Sequence, residues 1–174
     1  MAQILDAAGA FIRGLAGWRR FLFAFAAGAL SALSFAPFGL WPLLLLGLAA
    51  LTLSIDGAVT HVRPIRSAAL AGWAFGFGQF LAGLYWVGYA FLVDRADHLW
   101  QLPFIALILP GGLALFIMLA AAMSAYFWRD GWPRIFILTA CYAAAEWLRG
   151  NVFTGFPWNL PGSGWDASLP VLQS

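Results

Sequence analysis

Charged residues cut this chain into long apolar runs. Residues 21–55, 67–93, 99–128 and 135–145 contain no Asp, Glu, Lys or Arg, and about 20 apolar residues in helical conformation are enough to cross a bilayer's hydrocarbon core. The first run contains Pro37, Gly39 and Pro42, residues that end helices and make turns. It therefore reads as two spans, 21–36 and 38–55, joined by a tight turn. Further spans are expected at 67–93, 102–128 and 135–148. At a helical rise of about 1.5 Å per residue the stretch 67–93 exceeds the hydrocarbon thickness and should tilt or protrude. Pro110, Gly111 and Gly112 predict a kink or a break within 102–128, and the last span carries Glu146 inside it or at its edge. The expected fold class is an all-α membrane protein: a bundle of about five transmembrane helices followed by an interfacial loop.

Composition supports this reading. Of 174 residues 63% are hydrophobic and only 9% charged, where a soluble domain carries roughly 25% charged residues. The single Cys excludes a disulfide framework, and with two His it leaves no zinc-type ligand cluster. All nine basic residues are Arg, and Glu146 is the only Glu. No metal or other cofactor is expected.

The arginines set an orientation. With five spans, one side of the membrane holds Arg13, Arg19, Arg20, Arg63, Arg66, Arg129 and Arg134, and the other holds Arg95 and Arg149. The side rich in Arg is cytoplasmic, so residues 1–20 lie inside and everything after Glu146 lies outside. Within 1–20, Ile4, Ala8, Phe11, Leu15 and Trp18 recur at helical spacing with Asp6 and Arg13 opposite, as in a short helix lying among headgroups. A frayed tail fits the same residues. These arginines are spread over several loops and form no stripe, so nucleic-acid binding is not expected.

Two spans carry polar features. Gly72, Gly76, Gln79 and Gly83 share one face of the third, with Trp86 at its margin. Small residues let helices approach closely, and the amide of Gln79 must be hydrogen-bonded within a bundle, either bridging helices or lining a polar cavity. On the fifth, Tyr142, Glu146 and Arg149 share a face, and the i, i+3 spacing lets acid and base pair. Cys141 faces elsewhere in an apolar run and reads as a packing residue. After Arg149 the texture changes. Residues 150–174 mix Gly and Pro with Phe153, Phe156, Trp158 and Trp165, which suits an ordered loop at the membrane–water boundary.

Here the chain resembles a known family. Glu146, Trp147, Leu148, Arg149 and Gly150, followed by Phe153, Thr154, Gly155, Phe156, Pro157, Trp158, Asn159 and Leu160, resemble the signature of the apolipoprotein N-acyltransferases. Residues 35–39 (Phe-Ala-Pro-Phe-Gly) resemble that family's first hairpin. Residues 72–76 and 83–86 resemble its third span. Pro161 and Ser163 depart from the pattern. The resemblance implies a multi-pass enzyme of the bacterial inner membrane that moves an acyl chain from a phospholipid, the donor, to the amino group of a lipoprotein's N-terminal diacylglyceryl-cysteine, the acceptor. It also implies a nitrilase-like periplasmic domain, with a Cys nucleophile supported by Glu and Lys, downstream of the matched region. A chain without Lys cannot hold that triad, so no catalytic residue is expected in it. It reads as the membrane part of a longer enzyme, inactive alone, with the loop 149–174 periplasmic.

On the matched positions, Phe156, Trp158, Trp147 and Trp86 are the expected contacts to acyl chains or lipoprotein. Glu146, Arg149, Gln79 and Asn159 are expected to support them. Two rivals from other classes remain: a non-catalytic membrane scaffold or lipid-binding protein, and a small transporter using Gln79, the 110–112 break and Glu146 as a polar path.

Overall fold

The computed structural model describes residues 2–90, 99–152, 155 and 160–162. Among them all regular structure is helical: α1 Ala2–Gly14, α2 Gly17–Ser31, α3 Pro42–Val59, α4 Pro64–Gly83, α5 Leu102–Phe127 and α6 Pro133–Asn151. A 3₁₀ turn, Ala32–Ser34, extends α2, and single helical turns lie at Val87–Ala90 and Leu99–Gln101. Helices α3, α4, α5 and α6 each carry a proline in their first turn, where its missing N–H has no helical partner to lose. Gly17, at φ +55°, turns the chain from α1 into α2.

Helix α4 is the centre of the bundle and packs against α2, α3 and α5, while α6 packs on α5 and α1 on α3. Glycine makes the close α2–α4 crossing possible at two points. A methyl group on Gly28 of α2 would collide with the carbonyl of Phe75, and one on Gly78 of α4 with that of Phe25. On the next face of α4, Gly72 and Gly76 seat Ile117 and Ala121 of α5. The glycine face seen in the sequence is thus a helix-packing face. Phe75, Phe80, Leu51, Ile55 and Ile117 fill the space between the helices. Trp73 stacks on Phe77, with centroids 4.9 Å apart, and its indole N–H reaches the Gly111 carbonyl at 3.1 Å. The buried hydroxyls of Ser31, Ser54 and Ser124 bond to carbonyls three or four residues earlier in the chain, which satisfies them without a partner helix.

The helices differ from the expected spans in three places. Helix α2 begins at Gly17 rather than at 21 and so includes Arg20, whose guanidinium bonds to Ser67 Oγ and the Leu15 carbonyl. Helix α4 ends at Gly83, because Leu84 leaves helical geometry at φ −110°, ψ 14°; the long helix expected from 67 to 93 is a 20-residue helix followed by turns. Helix α5 continues through Pro110 without a break, so the discontinuity a transporter path would use is not there. By length and apolar composition, α3 and α5 are the two helices among the described residues able to cross a membrane on that criterion alone.

Candidate functional site

A polar seam runs along the inner face of α6. Tyr142 is buried and its hydroxyl donates to Oε1 of Gln79 on α4, 3.3 Å away. One turn on, Glu146 accepts two bonds from Arg149, Nη2 to Oε2 at 2.6 Å and Nε to Oε1 at 3.3 Å. The Arg149 side chain is fully enclosed and its guanidinium lies 5.0 Å from the ring centroid of Phe80. A planar guanidinium can pair with a carboxylate through two bonds and stack on an aromatic face at once. The alternatives the sequence left for Gln79 are thereby narrowed: its amide bridges two helices.

Beside this seam lies a groove of about 870 Å³ between α3 and α6. Leu45, Leu48, Ala49, Thr52 and Leu53 form one wall; Ile135, Leu138, Thr139, Tyr142 and Ala143 form the other. Arg134 and Glu146 stand near its two ends, and Leu160, Pro161 and Gly162 line it as well. Glu146 lies twelve positions beyond Arg134 on α6, a rise of about 18 Å. The result is an apolar slot with a few hydroxyls along it and charged groups toward its ends. Such a slot accommodates a linear hydrocarbon while a polar end finds partners.

At the Arg134 end the two walls are tied together. Arg134 Nη1 pairs with Asp56 Oδ2 at 2.7 Å, and the indole N–H of Trp128 reaches Asp56 Oδ1 at 3.0 Å. The sequence reading missed this cluster, because it ended the second span at Ile55 and treated Asp56 as a loop residue. The available signal was an acid bordering an apolar run, which is buried there only if paired.

Of the residues singled out in the sequence, Gln79, Glu146 and Arg149 come together with Tyr142 in the seam. Trp147 and Trp86 do not join them. Trp147 is exposed on α6, Trp86 is exposed in the turn after α4, and neither lines the groove. Phe156, Trp158 and Asn159 lie outside the described residues, as does most of the loop 149–174. Gly155 is described and sits at φ +71°, with its N–H bonded to the Val152 carbonyl. A side chain there would be strained. Cys141 is half-buried on α6 and does not line the groove.

Fold and groove together define a helical domain suited to holding an amphiphile. Residues 27–174 match the family model described as the apolipoprotein N-acyltransferase N-terminal domain, and the chain belongs to that family. It is 45% identical over 159 residues to the apolipoprotein N-acyltransferase of Rhodopseudomonas palustris, covering 91% of this chain and 30% of that protein. With the enzyme of the same name from Brucella suis it shares 46% identity over 162 residues, 90% of this chain and 30% of the relative. The chain thus spans about 30% of the length of the curated relatives it matches.

Proposed function

We propose that this chain is the membrane platform of an apolipoprotein N-acyltransferase, which transfers an acyl chain from a membrane phospholipid to the N-terminal diacylglyceryl-cysteine of a lipoprotein. The observation that carries the reading is the match over residues 27–174 to that family's N-terminal domain. Helices α2 to α6 are the five spans of a multi-pass protein in the bacterial inner membrane, with the N-terminus cytoplasmic and the segment after Arg149 periplasmic. In support, contacts gather much of the Arg-rich end into one layer: Arg13 of α1 against Gly57, Arg20 with Ser67, and Arg134 with Asp56. Arg149 stands at the other end of α6.

Within this platform the α3–α6 groove holds an acyl chain, and the seam of Gln79, Tyr142, Glu146 and Arg149 keeps the α6 wall in register with α4. The loop beyond Arg149 adds Phe156 and Trp158 as contacts to lipid or lipoprotein, with Asn159 supporting them. Trp147 and Trp86, both exposed, sit at the interface with lipid. The transfer chemistry belongs to a part of the full-length protein outside this chain, since no Lys stands anywhere in it and Cys141 lies away from the groove.

The test is complementation. Bacteria depleted of their own apolipoprotein N-acyltransferase are given the full-length gene, and a reporter lipoprotein is analysed by mass spectrometry. The expected result is a mass gain of one acyl chain at its N-terminus, which residues 1–174 alone do not produce. A reporter left without that chain by a well-expressed full-length protein overturns the reading.

A further inference from the structure

Arg20 stands apart from the other buried charges. Glu146 pairs with Arg149 and Asp56 with Arg134, but among the described residues no carboxylate meets Arg20. It is 2% exposed, two of its nitrogens donate to the neutral oxygens of Ser67 and Leu15, and its Nε is buried with no hydrogen-bond partner. A buried guanidinium served only by neutral acceptors keeps its full charge and has donors to spare.

The surroundings supply a place for a counter-charge. Arg20 lines a cleft of about 350 Å³ between the starts of α2 and α4, together with Trp18, Phe21, Ser67 and Leu70. Both helices begin at this end, so their unpaired first-turn N–H groups and positive dipole ends converge on the region that Arg20 occupies. The rest of the wall is apolar. Trp18 is 68% exposed, with Arg19 5.6 Å from the centre of its ring, as an interfacial anchor would be. A free phosphate would satisfy the guanidinium but leave Trp18, Phe21 and Leu70 bare. A phospholipid covers both.

We propose that the cleft between α2 and α4 is a binding site for an anionic phospholipid, whose phosphodiester pairs with Arg20 and whose acyl chain lies along Phe21 and Leu70. The site is separate from the α3–α6 groove. It anchors the amino-terminal end of the bundle to anionic lipid and takes no part in acyl transfer. Only the leaflet, the cytoplasmic one, rests on the orientation proposed above.

The test uses the full-length protein, purified in non-ionic detergent, delipidated and titrated with dioleoylphosphatidylglycerol or dioleoylphosphatidylcholine. Bound lipid is read by native mass spectrometry. The wild type should hold phosphatidylglycerol at least about fivefold more tightly than phosphatidylcholine, the scale of one basic residue acting on an anionic headgroup. Arg20→Gln should erase that preference, and Arg19→Gln should keep most of it. Leu70→Trp, which fills the cleft and leaves Arg20 in place, should erase it too and decides the matter if Arg20→Gln fails to fold. Equal binding of the two lipids by the wild type overturns the proposal, as does a preference that survives Leu70→Trp. So does displacement by millimolar inorganic phosphate as complete as that by unlabelled phosphatidylglycerol, which would make the site one for a free anion. An active acyltransferase without the preference removes this site and leaves the enzyme reading standing. The preference in an inactive protein does the reverse.

Discussion

The hydroxyl of Tyr142 donates to Oε1 of Gln79 across 3.3 Å and joins α6 to α4 in the buried interior. Two polar groups that would each be expensive alone satisfy one another. Tyr142→Phe should therefore destabilise by about 1 kcal/mol, within the range for interhelical bonds in membranes. Gln79→Leu should act similarly, and the double variant should lose less than the sum of the two. Unfolding of the full-length protein in detergent checks this, and strict additivity would show that the bond contributes nothing.

Glu146 and Arg149 form the more demanding pair, because the arginine side chain is fully enclosed. Removing one partner of a buried ion pair costs about 3–5 kcal/mol, most of it from the charge left behind. Glu146→Gln and Arg149→Met should each reduce folded yield severely, and the double variant should recover a large part of it. Size-exclusion recovery after solubilisation provides the readout.

At the far end of α6 the pairing is less critical. Arg134 has 30% of its side chain exposed and can reach water when Asp56 is replaced. Asp56→Asn should therefore destabilise by about 1–2 kcal/mol, clearly less than Glu146→Gln under the same conditions. A ranking in the opposite order would mean that the Asp56 cluster, not the seam, holds α6 in place.

Glycine substitutions separate packing from propensity. At Gly28 an added methyl group meets the Phe75 backbone, which cannot move aside without parting α2 from α4. Gly112 in α5 has open space around the same position. Gly28→Ala should destabilise by about 1–3 kcal/mol, whereas Gly112→Ala should be neutral or stabilise by up to about 1 kcal/mol through helix propensity. Thermal unfolding of the two variants side by side tests the crossing directly.

The helices were legible because charge-free runs and prolines are strong, local signals. The Glu146–Arg149 pair was legible because its members lie three residues apart on one helix. What the sequence could not show depended on distance along the chain. Asp56 meets Arg134 from 78 positions away, and the groove exists only because α3 and α6 stand side by side. At Pro110, where a kink or a break was expected, there is no break: proline removes one hydrogen bond, and α5 continues through it as one helix packed against α4 and α6. Trp73 also bonds to the next residue's carbonyl. The long third span failed for the converse reason. Its residues carry no charge, so the charge-free run gave no hint of the turn at Leu84. The role of Phe156, Trp158, Trp147 and Trp86 as substrate contacts came from the resemblance alone, and Trp147 and Trp86 stand outside the groove that such contacts would line.

In the proposed function the α3–α6 groove holds the acyl chain of a donor lipid for an acyltransferase. The most direct measurement is steady-state transfer from phosphatidylethanolamine to a diacylglyceryl-cysteine peptide by full-length protein, for the wild type and for Thr139→Trp, which narrows the groove from its exposed edge. The expected result is transfer by the wild type, and for the variant a phospholipid KM raised about tenfold or more with thermal stability unchanged. Wild-type kinetics in a stably folded Thr139→Trp protein would contradict it.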